Sequence, residues 1–298
     1  MGKAAKKSKV NKGSRSKAGS SHVRPAKALG QNFLIDEGVI DAIVEGSDIT
    51  EETLVIEIGP GEGALTDRLA ESAGRVVAVE LDERLVKLLR VKFFSAENVE
   101  IIHGDILEVN LPEIIESNLK EYGLSEVRIV GNLPYYITTP IIMTLLEANT
   151  GAKSITAMMQ KEVGDRLLAE PGSKLSGAIT YAVHYRADVC KVVEAGSECF
   201  YPAPKVDSVV LRMDLLDEPA VKVDDEDFYF KTIKAGFIQR RKTLLNSLTT
   251  LEGFEKASIE KALNAAGIET NRRAESLTMQ EFADLAGALK KELANERL

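Results

Sequence analysis

A glycine-rich turn after a strand-like segment constrains the fold of this chain more than any other feature of its sequence. The apolar run Thr53–Ile58 leads directly into the segment Gly59–Gly63, and a helical pattern begins at Ala64. Glycines in such a turn let the backbone bend sharply and let a ligand approach it closely. The pattern therefore predicts a strand–helix unit with a ligand site at the carboxyl end of the strand.

Short β-rich runs and helical patterns alternate along the chain after about residue 28. The other strand-like runs are 75–80, 99–102, 127–130, 154–159 and 208–213. Strands separated by helices predict βαβ units and a mostly parallel sheet. The expected fold class is therefore α/β, with a Rossmann-like arrangement.

The pattern changes in the acidic, proline-containing stretch Asp214–Asp227. Beyond this stretch the sequence predicts only helices, over Phe228–Leu248, Ile259–Ala266 and Met279–Leu293. We predict a larger α/β domain over residues 23–216 and a smaller all-helical domain over residues 217–298.

Charge is distributed unevenly along the chain. The net charge is −8, but residues 1–22 contain seven Lys or Arg and no acid, so the remainder carries about −15. Residues 1–22 have almost no large apolar side chain, and we expect a disordered basic tail that is either solvated or an RNA-binding arm. Because phosphate affinity comes mostly from Lys and Arg, any nucleic-acid site on the acidic body must be a local basic patch.

Several classes of protein are excluded by what the sequence lacks. No run of 18 apolar residues is present, so we expect no membrane span, and the basic N-terminal segment has no apolar core of a signal peptide. The two cysteines, Cys190 and Cys199, and the three histidines lack metal-ligand spacing. We expect a cytoplasmic protein without a metal.

The glycine turn is compatible with more than one cofactor. Gly59, Gly61 and Ala64 satisfy the dinucleotide pattern G-x-G-x-x-A, so an NAD-binding enzyme remains an alternative at this point. Glu80 ends the next predicted strand, about twenty residues on, where a carboxylate can bind ribose hydroxyls. Both features indicate a nucleoside-containing cofactor.

Three residues favour S-adenosylmethionine over a dinucleotide. Pro60 replaces a residue that usually lines the pyrophosphate path, and Glu57 places a negative charge before the loop. A negative charge suits a cationic sulfonium and amine but repels a pyrophosphate. Asp105 follows the third predicted strand and can accept from an adenine amine, although it could equally cap the turn that follows it.

The segment Gly131–Tyr136 follows the fourth predicted strand and indicates methylation of an adenine amine. The lone pair of that amine is delocalised into the ring, so an enzyme must hold the two N–H bonds to aim it. The side-chain carbonyl of Asn132 and the backbone carbonyl of Leu133 can accept them, while Pro134 fixes the turn. Tyr135 can stack on the purine. The alternative is an ordinary Asn-x-Pro turn with its tyrosines packed at a strand end.

At this point the chain resembles the ribosomal RNA adenine dimethyltransferases that modify two adjacent adenines near the 3′ end of small-subunit rRNA. The resemblance covers nearly all of the chain after about residue 25. Seven motifs carry it, namely Leu29–Leu34, Glu57–Thr66, Val79–Asp82, Gly104–Asp105, Asn132–Tyr135, Gln160–Val163 and Phe200–Ser208. It implies a Rossmann-like S-adenosylmethionine-dependent methyltransferase domain with a C-terminal helical domain.

The resemblance also implies roles for individual residues. The implied cofactor contacts are Asn32 and Leu34 at the methionine end, Gly59 and Gly61 along the cofactor, Glu80 at the ribose, Asp105 at the adenine, and Asn132 between cofactor and target base. Tyr135 and Phe200 would sandwich that base. The alternative role of Phe200 is core packing.

The RNA contacts are expected in the helical domain, where Arg240, Arg241 and Lys242 form a basic run. Further candidates are Lys231, Lys234, Arg272, Arg273, Lys161 and Arg166. The expected partner is the small ribosomal subunit or its rRNA precursor, and we expect a monomer. Two alternatives remain open: a large-subunit rRNA dimethyltransferase of the antibiotic-resistance type, and a non-catalytic assembly factor that binds RNA.

Overall fold

The computed structural model describes residues 23–26, 29–148 and 150–295, so the prediction for residues 1–22 lies outside the described residues. The strands are β1 (Phe33–Leu34), β2 (Thr53–Ile58), β3 (Arg75–Glu80), β4 (Val99–His103), β5 (Glu126–Asn132), β6 (Ser154–Gln160), β7 (Ala187–Ala195), β8 (Phe200–Tyr201) and β9 (Ser208–Leu215). The helices are α1 (Glu37–Gly46), α2 (Ala64–Ser72), α3 (Glu83–Lys92), α4 (Leu111–Tyr122), α5 (Thr138–Glu147), α6 (Lys161–Leu168), α7 (Ala178–His184), α8 (Glu226–Ile238), α9 (Leu244–Leu248), α10 (Lys256–Ala265) and α11 (Met279–Asn295).

Seven strands form one sheet in the order β4-β3-β2-β5-β6-β9-β7. The pairs among β2 to β6 are parallel, and β9 runs antiparallel to both of its neighbours. Every residue of β2 and β3 is buried, as expected for strands covered on both faces by helices. The prediction of a mostly parallel α/β sheet is therefore confirmed.

One strand of the sheet and a separate two-stranded ladder were not predicted from the sequence. β7 is an edge strand with mixed exposure and a register irregularity between Lys191 and Val193, so it lacks the continuous apolar run of the central strands. β1 and β8 form a separate two-residue ladder that pairs Phe33 with Tyr201 and Leu34 with Phe200. This ladder brings two segments together that are far apart in sequence.

The helices after residue 225 surround a second apolar core, which includes Tyr229, Leu263 and Phe282. Tyr181 of α7 and the adjacent Tyr185 also belong to this core, and the Tyr181 hydroxyl donates to the carbonyl of Leu277 at 2.5 Å. A smaller helical region is therefore present, as expected. The domain boundary at residues 216 and 217 stays a prediction, because α7 packs into the helical core.

The single helix predicted over Phe228–Leu248 was wrong. The chain leaves the helical conformation at Gln239 and resumes it at Leu244. The backbone N–H of Leu244 donates to the carbonyl of Arg272 at 2.7 Å, a tertiary bond in place of the bond to residue 240 that a continuous helix would make. The basic run thus lies in a turn, not on a helix.

Within the described ranges, no helix combines the length and the apolar character that crossing a membrane would need.

Candidate active site

A cavity of about 550 Å³ opens at the carboxyl ends of the parallel strands. It lies where β2 has β3 on one side and β5 on the other, so the strand order reverses there. Ligands of open α/β sheets bind in this crevice. The volume is in the range of small-molecule and cofactor sites.

The glycine turn forms one wall of the cavity. Gly61 has φ of +60°, and a Cβ at that position would lie 3.0 Å from the ring of Phe33. Gly63 has φ of +78°, and its Cβ would lie 2.9 Å from both Leu89 and Phe93. Positive φ and close neighbours together require glycine here, so the turn packs tightly against both the β1 strand and α3.

Glu80 ends β3 and lines the cavity beside this turn. One of its carboxylate oxygens accepts from the backbone N–H of Gly61 at 3.2 Å, and the other accepts from the backbone N–H of Asp82 at 2.9 Å. Burial raises the pKa of Glu80, while the two backbone N–H donors oppose that rise. The two hydrogen bonds fix the carboxylate and leave it further lone pairs that can accept from a ligand. The ribose contact remains a prediction.

Glu57 is the most unusual ionisable group in the cavity wall. It is 1% exposed, and neither carboxylate oxygen has a hydrogen-bond partner among the described residues. Burial raises its pKa to about 8. An isolated buried carboxylate is costly unless a positive charge pairs with it. Without a ligand the buried group therefore favours its neutral acid form, and a cation bound beside it would favour the carboxylate. The cationic ligand expected from Glu57 stays a prediction.

Asp105 also lines the cavity, after β4. One carboxylate oxygen accepts from the backbone N–H of Leu107 at 3.0 Å, so the capping role weighed from the sequence is present. Ile106, a buried apolar neighbour, lines the same wall and was not predicted. An apolar wall beside a carboxylate suits an adenine ring and its amine. The adenine contact remains a prediction.

The loop after β5 forms the opposite wall. The Asn132 side-chain amide donates to the backbone carbonyl of Asn32 at 3.1 Å. Leu133 is buried in the sheet core, and its backbone N–H donates to the carbonyl of Met158 at 3.1 Å. The carbonyl of Pro134 accepts from the backbone N–H of Ile137 at 3.2 Å. The loop is thus a well-bonded turn whose asparagine orientation is fixed by the N-terminal segment.

Side-chain hydrogen bonds hold the N-terminal segment Leu29–Ile35, which lines the cavity. The Gln31 amide donates to Asp82 at 3.0 Å, and the Asn32 amide donates to the carbonyl of Gly30 at 3.1 Å. The guanidinium of Arg84, bonded to Asp82, is the main reason that the pKa of Asp82 falls to about 2. Gln31 thus joins the N-terminal segment to Asp82. This contact was not predicted from the sequence, although Gln31 lies in the motif Leu29–Leu34.

The predicted cofactor and loop residues share this cavity. Its lining includes Asn32, Leu34, Gly59, Gly61, Glu80, Asp105, Asn132, Leu133, Pro134 and Tyr135. No group of three or more His, Cys, Asp or Glu suited to hold a metal ion occurs in the described part of the chain.

Phe200 is not among the lining residues. It is 3% exposed, pairs with Leu34, and packs in an apolar cluster with Val39, Met158 and Val210. The structure thus shows the core packing that was the alternative for Phe200, and does not bring its ring to the cavity beside Tyr135. Its role as a second wall of the base pocket remains a prediction.

The run Arg240–Lys242, together with Gln239, forms an exposed turn between α8 and α9, which we call the basic turn. None of the ion pairs found among the described residues involves Arg240, Arg241 or Lys242. Three of the other six candidates are already paired: Arg272 with Glu281, Lys161 with Glu194 at 3.0 Å, and Arg166 with Glu162. Free cations at an exposed turn are suited to phosphate contacts.

Comparison with known proteins agrees with this geometry. The family model described as Ribosomal RNA adenine dimethylase matches residues 24–291. A Ribosomal RNA small subunit methyltransferase A from Bacillus pumilus is 47% identical over 270 residues, which cover 90% of this chain and 92% of the relative. The protein of the same name from Alkaliphilus oremlandii is 44% identical over 269 residues, with 90% and 93% covered.

Two solved structures share the fold. The 23S rRNA methyltransferase ErmE is 27% identical, with a TM-score of 0.65, and 87% of this chain and 100% of that chain are covered. A dimethyladenosine transferase from Plasmodium falciparum is 24% identical, with a TM-score of 0.71 and 87% and 98% covered. The expected Rossmann-like methyltransferase fold with a C-terminal helical region is confirmed. The family model spans residues 24–291, and relatives with nearly half of their aligned residues identical cover most of the chain. The chain therefore belongs to the ribosomal RNA adenine dimethylase family.

Proposed function

We propose that this protein transfers methyl groups from S-adenosylmethionine to the exocyclic amines of two adjacent adenines near the 3′ end of small-subunit rRNA, during ribosome biogenesis. Relatives named for the small subunit are 44–47% identical, whereas the large-subunit enzyme ErmE is 27% identical. This difference favours the small subunit over the large-subunit alternative. The intact Asn132 loop favours an active enzyme over a non-catalytic assembly factor.

The single observation that supports this chemistry best is the orientation of Asn132. Its amide nitrogen is engaged by the carbonyl of Asn32, so its amide oxygen is the group available to accept from a bound amine. The backbone carbonyl of Leu133 would accept the second N–H. Two acceptors that fix both N–H bonds direct the nitrogen lone pair towards the methyl donor. Tyr135 would hold the purine plane by stacking.

The cavity fits the cofactor that this chemistry needs. S-adenosylmethionine, when bound, supplies an electrophilic methyl group on a cationic sulfonium. The buried carboxyl of Glu57, which has no hydrogen-bond partner among the described residues, would favour the positive charge at the sulfonium and amine of the cofactor. Glu80 would bind the ribose, Asp105 the adenine amine, and Asn32 and Leu34 the methionine end.

The residues of the site supply positioning rather than proton transfer. Holding two reactants in line can contribute on the order of 7–11 kcal/mol to lowering the barrier. The new bond between the amine nitrogen and the methyl carbon would replace the carbon–sulfur bond, and the neutral thioether S-adenosylhomocysteine would leave. The proton of the methylated amine would then be acidic enough to leave to water. We therefore propose that no side chain acts as a general base.

The substrate would be the small ribosomal subunit or its rRNA precursor, bound partly through the basic turn. A monomer is sufficient for this proposal, because every residue given a role belongs to one chain. A protein that modifies ribosomal subunits would act in the cytoplasm.

The direct test supplies labelled S-adenosylmethionine with undermethylated small subunits or undermethylated large subunits, and then maps the label. We expect label on two adjacent adenines near the 3′ end of the small-subunit rRNA. Label on the large subunit would contradict the proposed substrate. No label on either subunit would favour the binding factor.

A further inference from the structure

The hydroxyl of Tyr135 lies 2.5 Å from the hydroxyl of Ser208. Tyr135 follows β5, whereas Ser208 is the first residue of β9, and β6 lies between these two strands. The hydrogen bond therefore spans the end of β6 and joins the loop after β5 to a strand that is 73 residues away in sequence. A bond of this length between two hydroxyls is at the strong end of the usual range.

Ser208 is a rigid anchor. It is fully buried and pairs with Gln160 of β6 on one side and with Ala195 of β7 on the other. The backbone carbonyl of its neighbour Asp207 accepts from the backbone N–H of Lys161 at 3.0 Å. The hydroxyl of Ser208 thus has a position set by two strands and by the start of α6.

The surroundings of the two tyrosines of the loop differ. Tyr135 is half-buried and its hydroxyl is anchored, whereas Tyr136 is 56% exposed. Burial raises the pKa of Tyr135, so its hydroxyl stays protonated and able to donate to Ser208. A tyrosine side chain changes its direction by rotation about the Cα–Cβ bond, and a hydrogen bond at the hydroxyl limits that rotation and so fixes where the ring lies.

We propose that Ser208 is a positioning residue for methyl transfer, which holds the ring of Tyr135 at the place from which it stacks on the target adenine. This inference rests on the proposed function, because it assumes that Tyr135 contacts the base. A ring held in advance needs no ordering when the base enters, so removing the bond should slow transfer and leave cofactor binding unchanged.

Three variants test this role: Ser208→Ala, Tyr135→Phe and the double variant. Each single change removes the same hydrogen bond, so each should lower the single-turnover transfer rate by roughly 3- to 10-fold, the loss typical of one neutral hydrogen bond. The double variant should be no slower than the slower single variant. Independent effects would multiply instead, and that outcome would overturn the proposal.

Thr156→Val is the matched control, because Thr156 is a buried hydroxyl residue on β6 whose oxygen has no partner among the described residues. It should keep the native transfer rate. Affinity for S-adenosylmethionine should be unchanged in all variants. If Ser208→Ala does not fold, Tyr135→Phe decides alone, because it leaves the Ser208 strand intact; a native rate in Tyr135→Phe would overturn the proposal.

Failure of this inference differs from failure of the proposed function. If the native protein labels small subunits and Tyr135→Phe does so at the native rate, only the role of Ser208 is wrong. If the native protein labels no subunit, the proposed function itself is wrong, and the role of Ser208 fails with it.

Discussion

The cavity and the basic turn place their ionisable groups in opposite environments. In the cavity the carboxyl groups are buried: Glu80 accepts from two backbone N–H groups, and Glu57 lies 1% exposed in the wall. In the basic turn, Arg240 and its two neighbours are exposed and make no ion pair among the described residues. The first region restricts geometry, whereas the second offers charge to a partner.

Substitutions in the cavity and in the basic turn should therefore change different measured quantities. Buried and positioned groups act on the transition state and on a cofactor of fixed shape, so their loss should change rate constants or cofactor affinity. Exposed cations act through phosphates, so their loss should change affinity for RNA and its dependence on salt. A cavity variant that changed only RNA affinity, or a basic-turn variant that changed the transfer rate, would contradict this comparison.

The largest expected effect is that of Asn132→Ala. Loss of the amide oxygen that aims the target amine should lower the transfer rate by on the order of 10³-fold, measured in single turnovers with labelled S-adenosylmethionine. Cofactor affinity, measured by calorimetry, should stay within about twofold. Asn246→Ala, an exposed asparagine of the helical region, is the control. Retained transfer in Asn132→Ala would show that another group orients the amine.

Glu57 gives a pH prediction for the cofactor-free protein. Burial raises its folded pKa from 4.5 to about 8, so the folded protein keeps a proton that the unfolded chain releases between these values. The stability that this group contributes is complete below pH 4.5 and is lost as pH rises towards 8. The contribution of Glu57 to the free energy of unfolding should therefore fall by roughly 3 kcal/mol from pH 5 to pH 8.

Glu57→Gln tests this sign, because glutamine is close in shape and cannot ionise. Its free energy of unfolding, from urea titrations at several pH values, should depend less on pH than that of the native protein. Glu97→Gln, at an exposed position, should keep the native pH dependence. Equal pH dependence in Glu57→Gln and the native protein would mean that the folded carboxylate is not destabilised by burial.

Glu80→Gln should weaken cofactor binding by roughly 10- to 100-fold. The glutamine amide cannot accept on both sides, so one of the backbone bonds to Gly61 and Asp82 is lost together with a charge-assisted contact to the ribose. Calorimetry with S-adenosylmethionine measures the loss. Glu83→Gln, on the exposed start of α3, serves as the control. Unchanged affinity would remove Glu80 from the cofactor site.

The smallest effect is expected from joint replacement of Arg240, Arg241 and Lys242 by alanine. Affinity for the small subunit should fall by roughly 3- to 10-fold, and the salt dependence of binding should become less steep. The single-turnover rate at saturating substrate should be unchanged. Replacing the exposed Lys256, Lys261 and Lys291 removes as much charge elsewhere. An equal effect of both triple variants would mean that only net charge matters.

The sequence predicted the pocket more completely than the helical region. The glycine turn, Glu80, Asp105 and the Asn132 loop each lie at or just after the carboxyl end of a parallel strand. These ends meet at one edge of the sheet, so local pattern placed the residues together. The break at Gln239 was missed because its cause, the bond from Leu244 to the carbonyl of Arg272, joins segments with no local signal. Local periodicity carries no information on such a bond.

The sequence by itself determined the α/β order, the family resemblance and the residue types of the site, because these depend on local patterns and on motif spacing. Only the tertiary structure decided that Phe200 is buried against Leu34, that Asn32 orients Asn132, and that Ser208 anchors Tyr135. Each of these contacts joins chain segments more than seventy residues apart, and their meeting is set by the packing of the whole sheet rather than by any neighbouring residue.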